Sequence, residues 1–271
     1  MTTASTANSP DSTTAPKYDN HGQYSRTGIL RYEKIFGSGY ISTGGHETTE
    51  YLISKIPGTL SPGVRVLDVG SGIGGAGFHL ARTYGAIVTG IDLSPEMVDI
   101  ALDRAKDADD LGSVTTILGD VLTESFPEPF DVIWSRDALM HIPDKAKLFA
   151  RLRDLNAPGG KLVITDYARG VGERSPEFQT YIQSTGYHVV DPASYGKLIE
   201  AAGYTDVQVE DATDRFVAIL EKELDLLNAN RADFLESFSE DDLNYLVARW
   251  QMKVGFCKAG DMKWGIYVAT R

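Results

Sequence analysis

Apolar residues in this chain fall in short runs separated by amphipathic stretches, and the alternation is regular between residues 64 and 166. Val64–Val69 is an apolar run ending in a glycine-rich turn, Phe78–Tyr84 has helical spacing, and Ala86–Ile91 is a second strand-like run. Pro95–Lys106 reads as a helix, with Ser94 as its N-cap and Pro95 in its first position. Val114–Leu118 and Phe130–Trp134 read as strands. Lys145–Leu155 reads as a helix entered at Asp144, and Lys161–Asp166 as a strand after the Pro158-Gly159-Gly160 turn. Strand and helix alternating at this spacing predict an α/β fold, a parallel sheet with helices on both faces.

The flanks follow other patterns. Residues 1–17 are rich in Ser, Thr, Ala and Pro without a periodic apolar face, which predicts a disordered tail. From 18 to 45 the chain carries aromatic and small residues, and Ile29, Leu30, Ile35 and Phe36 suggest short helical pieces; His46–Ile56 continues as helix. After Asp166 the alternation breaks: 167–192 reads as an insertion bearing Tyr167, Tyr181 and Tyr187. Helix returns at Ser194–Ala202 and strand at Asp206–Glu210. A long helical stretch over about 214–255 places Phe216, Ile219, Leu220, Leu226 and Leu227 on one side, and Trp264–Ala269 closes the chain as a strand. The reading is one domain, 18–271, with an N-terminal lid (18–45) and insertions at about 167–192 and 213–262. Long excursions inside compact domains usually serve as lids or binding loops.

Composition narrows the function. A chain of 271 residues with 42% hydrophobic residues can bury one substantial core. No apolar run approaches the roughly 20 residues that span a bilayer, so no membrane partner is expected. The single cysteine, Cys257, cannot form an internal disulfide, and no Cys/His cluster has zinc spacing. A cytoplasmic protein without a metal fits. A formal net charge of −12 with scattered Lys and Arg argues against nucleic acid.

The chemistry starts at Val66-Leu67-Asp68-Val69-Gly70-Ser71-Gly72-Ile73-Gly74-Gly75, an apolar strand running into a glycine turn that opens a helix. Glycines there let a ligand approach the backbone closely. The acid precedes the first glycine and the spacing is G-x-G-x-G, which resembles the first motif of class I methyltransferases rather than a dinucleotide fingerprint. Asp92 ends the next strand, where an acid can bind both hydroxyls of a ribose. Asp120 follows the third strand in Gly119-Asp120-Val121; in the class it resembles, that acid binds the adenine amino group and Val121 offers backbone. The ordered set implies S-adenosyl-L-methionine as cofactor. The fourth strand ends in Ser135-Arg136-Asp137-Ala138-Leu139-Met140-His141. Asp137 and His141, four apart, would share a face of a helical turn. There His141 can serve as general base and Asp137 can hold a cation. Tyr24, on the lid, is the candidate partner of His141.

Beyond the glycine motif, the blocks Tyr32–Gly45, Ser135–His141, Ile164–Tyr167 and Lys263–Gly265 closely resemble the phosphoethanolamine N-methyltransferases. The resemblance runs from about Gln23 to the C-terminus. It implies a class I methyltransferase Rossmann-like sheet with helical cap insertions over the carboxyl ends of the strands. The implied reaction is N-methylation of phosphoethanolamine, or its mono- and dimethylated forms, towards phosphocholine. It implies Tyr24 and His141 as the catalytic pair. Gln23, Tyr32, Asp137, Tyr167, Tyr181, Tyr187 and Lys253 match the phosphobase pocket, and Ile41, Ser42, Gly70, Ser71, Gly72, Asp92, Leu93, Asp120, Val121 and Arg136 the cofactor site. A monomer is expected. One position departs: the family carries Tyr-x-x-x-Arg-x-Tyr, with the Arg on the phosphate, and here Thr185 stands in place of that Arg. Threonine cannot supply a bidentate cation. Arg169, Arg174 or Lys197 would have to reach in, or the acceptor is another small amine: an aminophosphonate, a glycine-type amino acid or an uncharged amine.

Overall fold

The computed structural model describes residues 22–106 and 113–271; the expected tail at 1–17 and the first residues of the lid lie outside them. Two helices come first, α1 (Arg26–Phe36) and α2 (Gly45–Ile53). The sheet core is β1 (Arg65–Val69), α3 (Gly75–Tyr84), β2 (Ile87–Asp92), α4 (Pro95–Lys106), β3 (Ser113–Leu118), β4 (Phe130–Arg136), α5 (Lys145–Leu155) and β5 (Asn156–Arg169). It continues through α6 (Pro176–Thr185), α7 (Pro192–Ala201), β6 (Thr205–Asp211), α8 (Thr213–Ala229), α9 (Arg231–Leu235), α10 (Glu240–Lys258) and β7 (Met262–Thr270).

The seven strands lie in the order β3-β2-β1-β4-β5-β7-β6. Chain order reverses between β1 and β4, the point at which ligands bind in such sheets, at the carboxyl ends of the strands. The sheet is not wholly parallel: β7 runs antiparallel to both β5 and β6. Nothing in the apolar pattern of a buried strand records its direction, so the expectation of a parallel sheet fails at this edge. The central strands are buried on both faces, which is why they read as continuous apolar runs: Val66, Leu67, Val132, Ile133 and Leu162 have no measurable exposure.

Local chemistry places the helix starts. The Ser94 hydroxyl accepts from Met97 N–H (3.4 Å) and Asp144 Oδ1 from Lys147 N–H (2.9 Å), as N-caps do. The stretch read as one long helix over 214–255 is three helices. The chain breaks at Asn230, and α10 restarts on a capping box between Ser239 and Asp242. Leu226 is half exposed, unlike buried Phe216, Leu220 and Leu227. Strand β5 runs on to Arg169, so Tyr167 belongs to the sheet and not to the insertion. Helices α1, α8 and α10 then cover the carboxyl end of the sheet. Trp250, with no exposure, packs against Tyr32 (5.8 Å between ring centroids) and Phe36 (5.2 Å).

Candidate functional site

Under this cap is a cavity of about 670 Å³, walled by the loops after β1, β2, β3 and β4 and by α1 and α10. Its floor is the glycine turn. Gly70 sits at φ +70, and a Cβ there would come within 2.3 Å of the Ala138 Cβ, so β1 and the turn after β4 meet only because the side chain is missing.

Asp92 closes β2. Its Oδ2 accepts from Gly72 N–H and its Oδ1 from Ser94 N–H, both at 2.9 Å, which fixes the carboxylate. Burial raises its pKa against those bonds, so a donor pair such as a ribose diol would stabilise the charged form. Asp120 Oδ1 accepts from Leu122 N–H (2.9 Å) beside Val121. The donor set suits an adenosine: an oriented acid for the ribose, a second acid one strand further for an exocyclic amine, and close backbone between them.

The opposite half is aromatic. Tyr24 Oη lies 3.0 Å from His141 Nε2. Burial, then the charges of Lys145 and His188, pushes His141 down to about 4, so the ring is neutral at physiological pH. Burial raises Tyr24 well above the usual phenol range, so it keeps its proton and can donate to Nε2 when the imidazole carries its own proton on Nδ1. Tyr187 stands edge-on to His141, with ring centroids 5.1 Å apart, and Tyr167 is 5.9 Å beyond it.

Asp137 and His141 do not share a helical face. Asp137 adopts φ +49, and only Leu139–His141 forms a short 3-10 turn. The left-handed kink turns the Asp137 carboxylate inward: Oδ2 accepts from Thr43 N–H (3.1 Å), and Oδ1 from the Thr165 hydroxyl (2.9 Å) and Trp264 Nε1 (2.8 Å). It therefore ties the lid to β5 and β7 while lining the cavity. Arg136 lines it too, but its guanidinium donates to Gly45 O (2.7 Å), the Thr49 hydroxyl (2.7 Å) and Thr43 O (2.5 Å). Those bonds fasten the lid. Glu223 completes the fastening, accepting from Gly44 N–H (2.9 Å) and Trp250 Nε1 (2.7 Å); burial raises it to about 7.

Of the residues expected at the site, Gln23, Tyr24, Tyr32, Ile41, Ser42, Gly70, Ser71, Asp92, Leu93, Asp120, Val121, Arg136, Asp137, His141, Tyr167, Tyr187 and Lys253 line this one cavity. Gly72 and Tyr181 do not: Gly72 supports Asp92 from beneath, and Tyr181 sits behind Tyr187 with 6.0 Å between ring centroids. Arg249 lines the cavity and was missed. A cation on a long polar-looking helix reads as solvated; its one signal was its place a helical turn before Lys253. The expectation that no metal has ligands here also needs amending: His46, Glu50 and His79 bring one ligand atom each within 4.8 Å of one another. His79 comes from a different helix, so sequence spacing hides the cluster.

The chain matches a family model described as a methyltransferase domain over residues 60–203. It is 46% identical to phosphoethanolamine N-methyltransferase 1 of Zea mays over 92% of this chain and 49% of that one. It is 34% identical to phosphoethanolamine N-methyltransferase of Plasmodium falciparum, over 93% of this chain and 94% of that one. The structure superposes with a TM-score of 0.88 on phosphoethanolamine N-methyltransferase 2 of Haemonchus contortus, solved with phosphomonomethylethanolamine and S-adenosylhomocysteine; identity is 34% over 92% of this chain and 58% of that one. The chain spans about half the length of the plant relatives it matches.

Proposed function

The chain belongs to the phosphoethanolamine N-methyltransferase family, and on that premise we propose that it methylates the nitrogen of phosphoethanolamine or of its mono- and dimethylated forms, with S-adenosylmethionine as donor. The observation that carries the reading is the Tyr24–His141 pair, 3.0 Å apart, in the same cavity as the Gly70–Asp92–Asp120 cradle.

Bound in that cradle, S-adenosylmethionine supplies a methyl group on a sulfonium, whose transfer leaves a neutral thioether. Asp92 would accept from the ribose hydroxyls and Asp120 from the adenine amino group, with Ile41 and Ser42 of the lid beside the donor. The acceptor arrives as an ammonium and must lose a proton before its lone pair can attack. Neutral His141 takes that proton through the Tyr24 hydroxyl: the amine gives a proton to Tyr24 as Tyr24 gives its own to Nε2. The freed lone pair would then form the new N–C bond as the C–S bond of the donor breaks. Helices α1 and α10, which wall the cavity, exclude water and align the pair, which is where most of the rate comes from in a displacement of this kind.

The same reading takes 18–271 as a single methyltransferase unit whose lid and insertions form the cap, acting as a cytoplasmic monomer without nucleic acid. Among the described residues no helix is long and apolar enough to cross a membrane, and the net charge of −12 disfavours a polyanionic partner.

The test is turnover. Protein and S-adenosylmethionine are incubated separately with phosphoethanolamine, its mono- and dimethyl forms, 2-aminoethylphosphonate and sarcosine, and products are read by mass spectrometry. Methylated phosphobase is the expected product. Turnover of sarcosine with no phosphobase product would overturn the acceptor and leave the methyl-transfer site standing.

A further inference from the structure

A phosphorylated acceptor needs a buried cation, and neither Thr185 nor its suggested substitutes provide one at the site. Thr185 is fully buried at the end of α6, and its hydroxyl donates to Tyr181 O (2.9 Å) and Ile182 O (3.2 Å). Arg169 and Arg174 line a separate recess behind Tyr187, and Lys197 lines neither.

Helix α10 brings in two cations instead. Arg249 and Lys253 are one turn apart, so they lie on one face of the helix, and both line the cavity. They are 9% and 3% exposed. Among the described residues, neither is within ion-pair distance of a carboxylate. The neighbouring acid, Glu223, has both oxygens engaged elsewhere. Lys253 Nζ donates to the Tyr167 hydroxyl at 3.0 Å. Arg249 makes a long hydrogen bond, 3.4 Å, to Gln23 Oε1, and its buried Nε has no partner. Its guanidinium carbon lies 5.7 Å from the Tyr181 ring.

Two buried like charges without an ion-paired anion are costly, because burial and mutual repulsion both disfavour them; the carboxylates of Glu223 and Asp137 act on Lys253 only from beyond ion-pair distance. Burial first, and then the charge of Arg249, pushes Lys253 down to about 7. Lining the cavity side by side, the pair is suited to receive an anion. Tyr187 spans the distance to the chemistry. Burial raises its hydroxyl while the charge of Arg249 and a hydrogen bond with it act the other way, and its ring meets His141 at 5.1 Å. An acceptor anchored by its anion at Arg249 and Lys253 would extend its amine along Tyr187 to the Tyr24–His141 pair.

Resting on the function proposed above, we infer that Arg249 is the phosphate-binding cation of this acceptor site, clasping a phosphate monoester together with Lys253 and the Tyr187 hydroxyl and so setting the preference for phosphorylated over carboxylated or neutral amines. A guanidinium fork matches two phosphate oxygens at once, and the ammonium of Lys253 serves the third. On this reading α10 supplies the cation that Thr185 on α6 does not.

The test compares wild type, Arg249→Gln and Arg249→Lys with phosphomonomethylethanolamine as acceptor. Affinity for S-adenosylhomocysteine, measured by calorimetry, reports whether the fold and the donor site survive. The inference expects Arg249→Gln to raise KM about 30- to 100-fold, with kcat within about threefold and S-adenosylhomocysteine binding unchanged. Competitive inhibition by inorganic phosphate should weaken in parallel. Arg249→Lys keeps the charge without the fork and should fall between. Should the Gln variant fail to bind S-adenosylhomocysteine, the Lys variant and its phosphate inhibition decide in its place. A KM within threefold of wild type in a well-folded variant overturns the role of Arg249. Absence of wild-type turnover on every phosphobase overturns the acceptor assignment on which it rests, and is a separate result.

Discussion

Tyr24 and His141, 117 residues apart in the chain, meet with the Tyr24 hydroxyl 3.0 Å from His141 Nε2 across the mouth of the donor cavity. One comes from the lid and the other from the turn after β4, so the pair joins the lid to the sheet. His141→Ala is expected to lower kcat by about 10²- to 10⁴-fold, the usual worth of a placed general base, with S-adenosylhomocysteine binding retained. Tyr24→Phe should lower kcat in the same direction. Near-normal kcat in His141→Ala, measured at saturating acceptor, removes the base from the mechanism.

The donor half rests on Asp92. Replacing it by Ala removes the buried acceptor aimed at the ribose and frees the Gly72 and Ser94 N–H groups. Calorimetry should show S-adenosylhomocysteine binding weakened by at least about tenfold, an effect of about 1.4 kcal/mol or more. Unchanged affinity would place the cofactor elsewhere.

Lys253 gives the site a pH dependence with a definite sign. Held near 7 in the free protein, it is charged below that value and neutral above it. A phosphate monoester is a dianion above about pH 6. kcat/KM for a phosphobase should therefore fall as pH rises through about 7, and the limb should move to higher pH in kcat, because bound anion keeps the ammonium charged. Lys253→Arg should abolish the limb in kcat/KM. A flat profile from pH 7 to 9 in wild type contradicts this.

Asp137 carries structure as well as lining the site. Trp264→Phe leaves Asp137 Oδ1 with the Thr165 hydroxyl as its remaining donor among the bonds described. Chemical denaturation should show a loss of about 1–3 kcal/mol. An unaltered midpoint would show that the indole bond contributes nothing.

Much of this arrangement was legible in the residues. Central strands buried on both faces leave continuous apolar runs, and Ser94-Pro95 and Asp144 mark helix starts in the sequence because capping is local chemistry. The acids at 92 and 120 were legible because each follows a strand end. What escaped was non-local. The direction of β7 depends on its partners and not on its own pattern. The face shared by Asp137 and His141 assumed helical backbone where Asp137 has φ +49. Leu226 matched the apolar spacing of α8 yet lies half exposed. Arg249 is the instructive miss: an arginine in a helix reads as surface until the lid and cap fold around it.

The most direct measurement is a one-pot competition. Wild-type protein with S-adenosylmethionine is given equal concentrations of phosphomonomethylethanolamine, N-methylethanolamine and sarcosine, and the ratio of methylated products is followed by mass spectrometry at low conversion. That ratio is the ratio of kcat/KM values. The account predicts that the phosphorylated amine dominates by about 10³-fold or more, since a site built around buried polar groups rejects a ligand that leaves them unpaired. Comparable methylation of the unphosphorylated amines would contradict it.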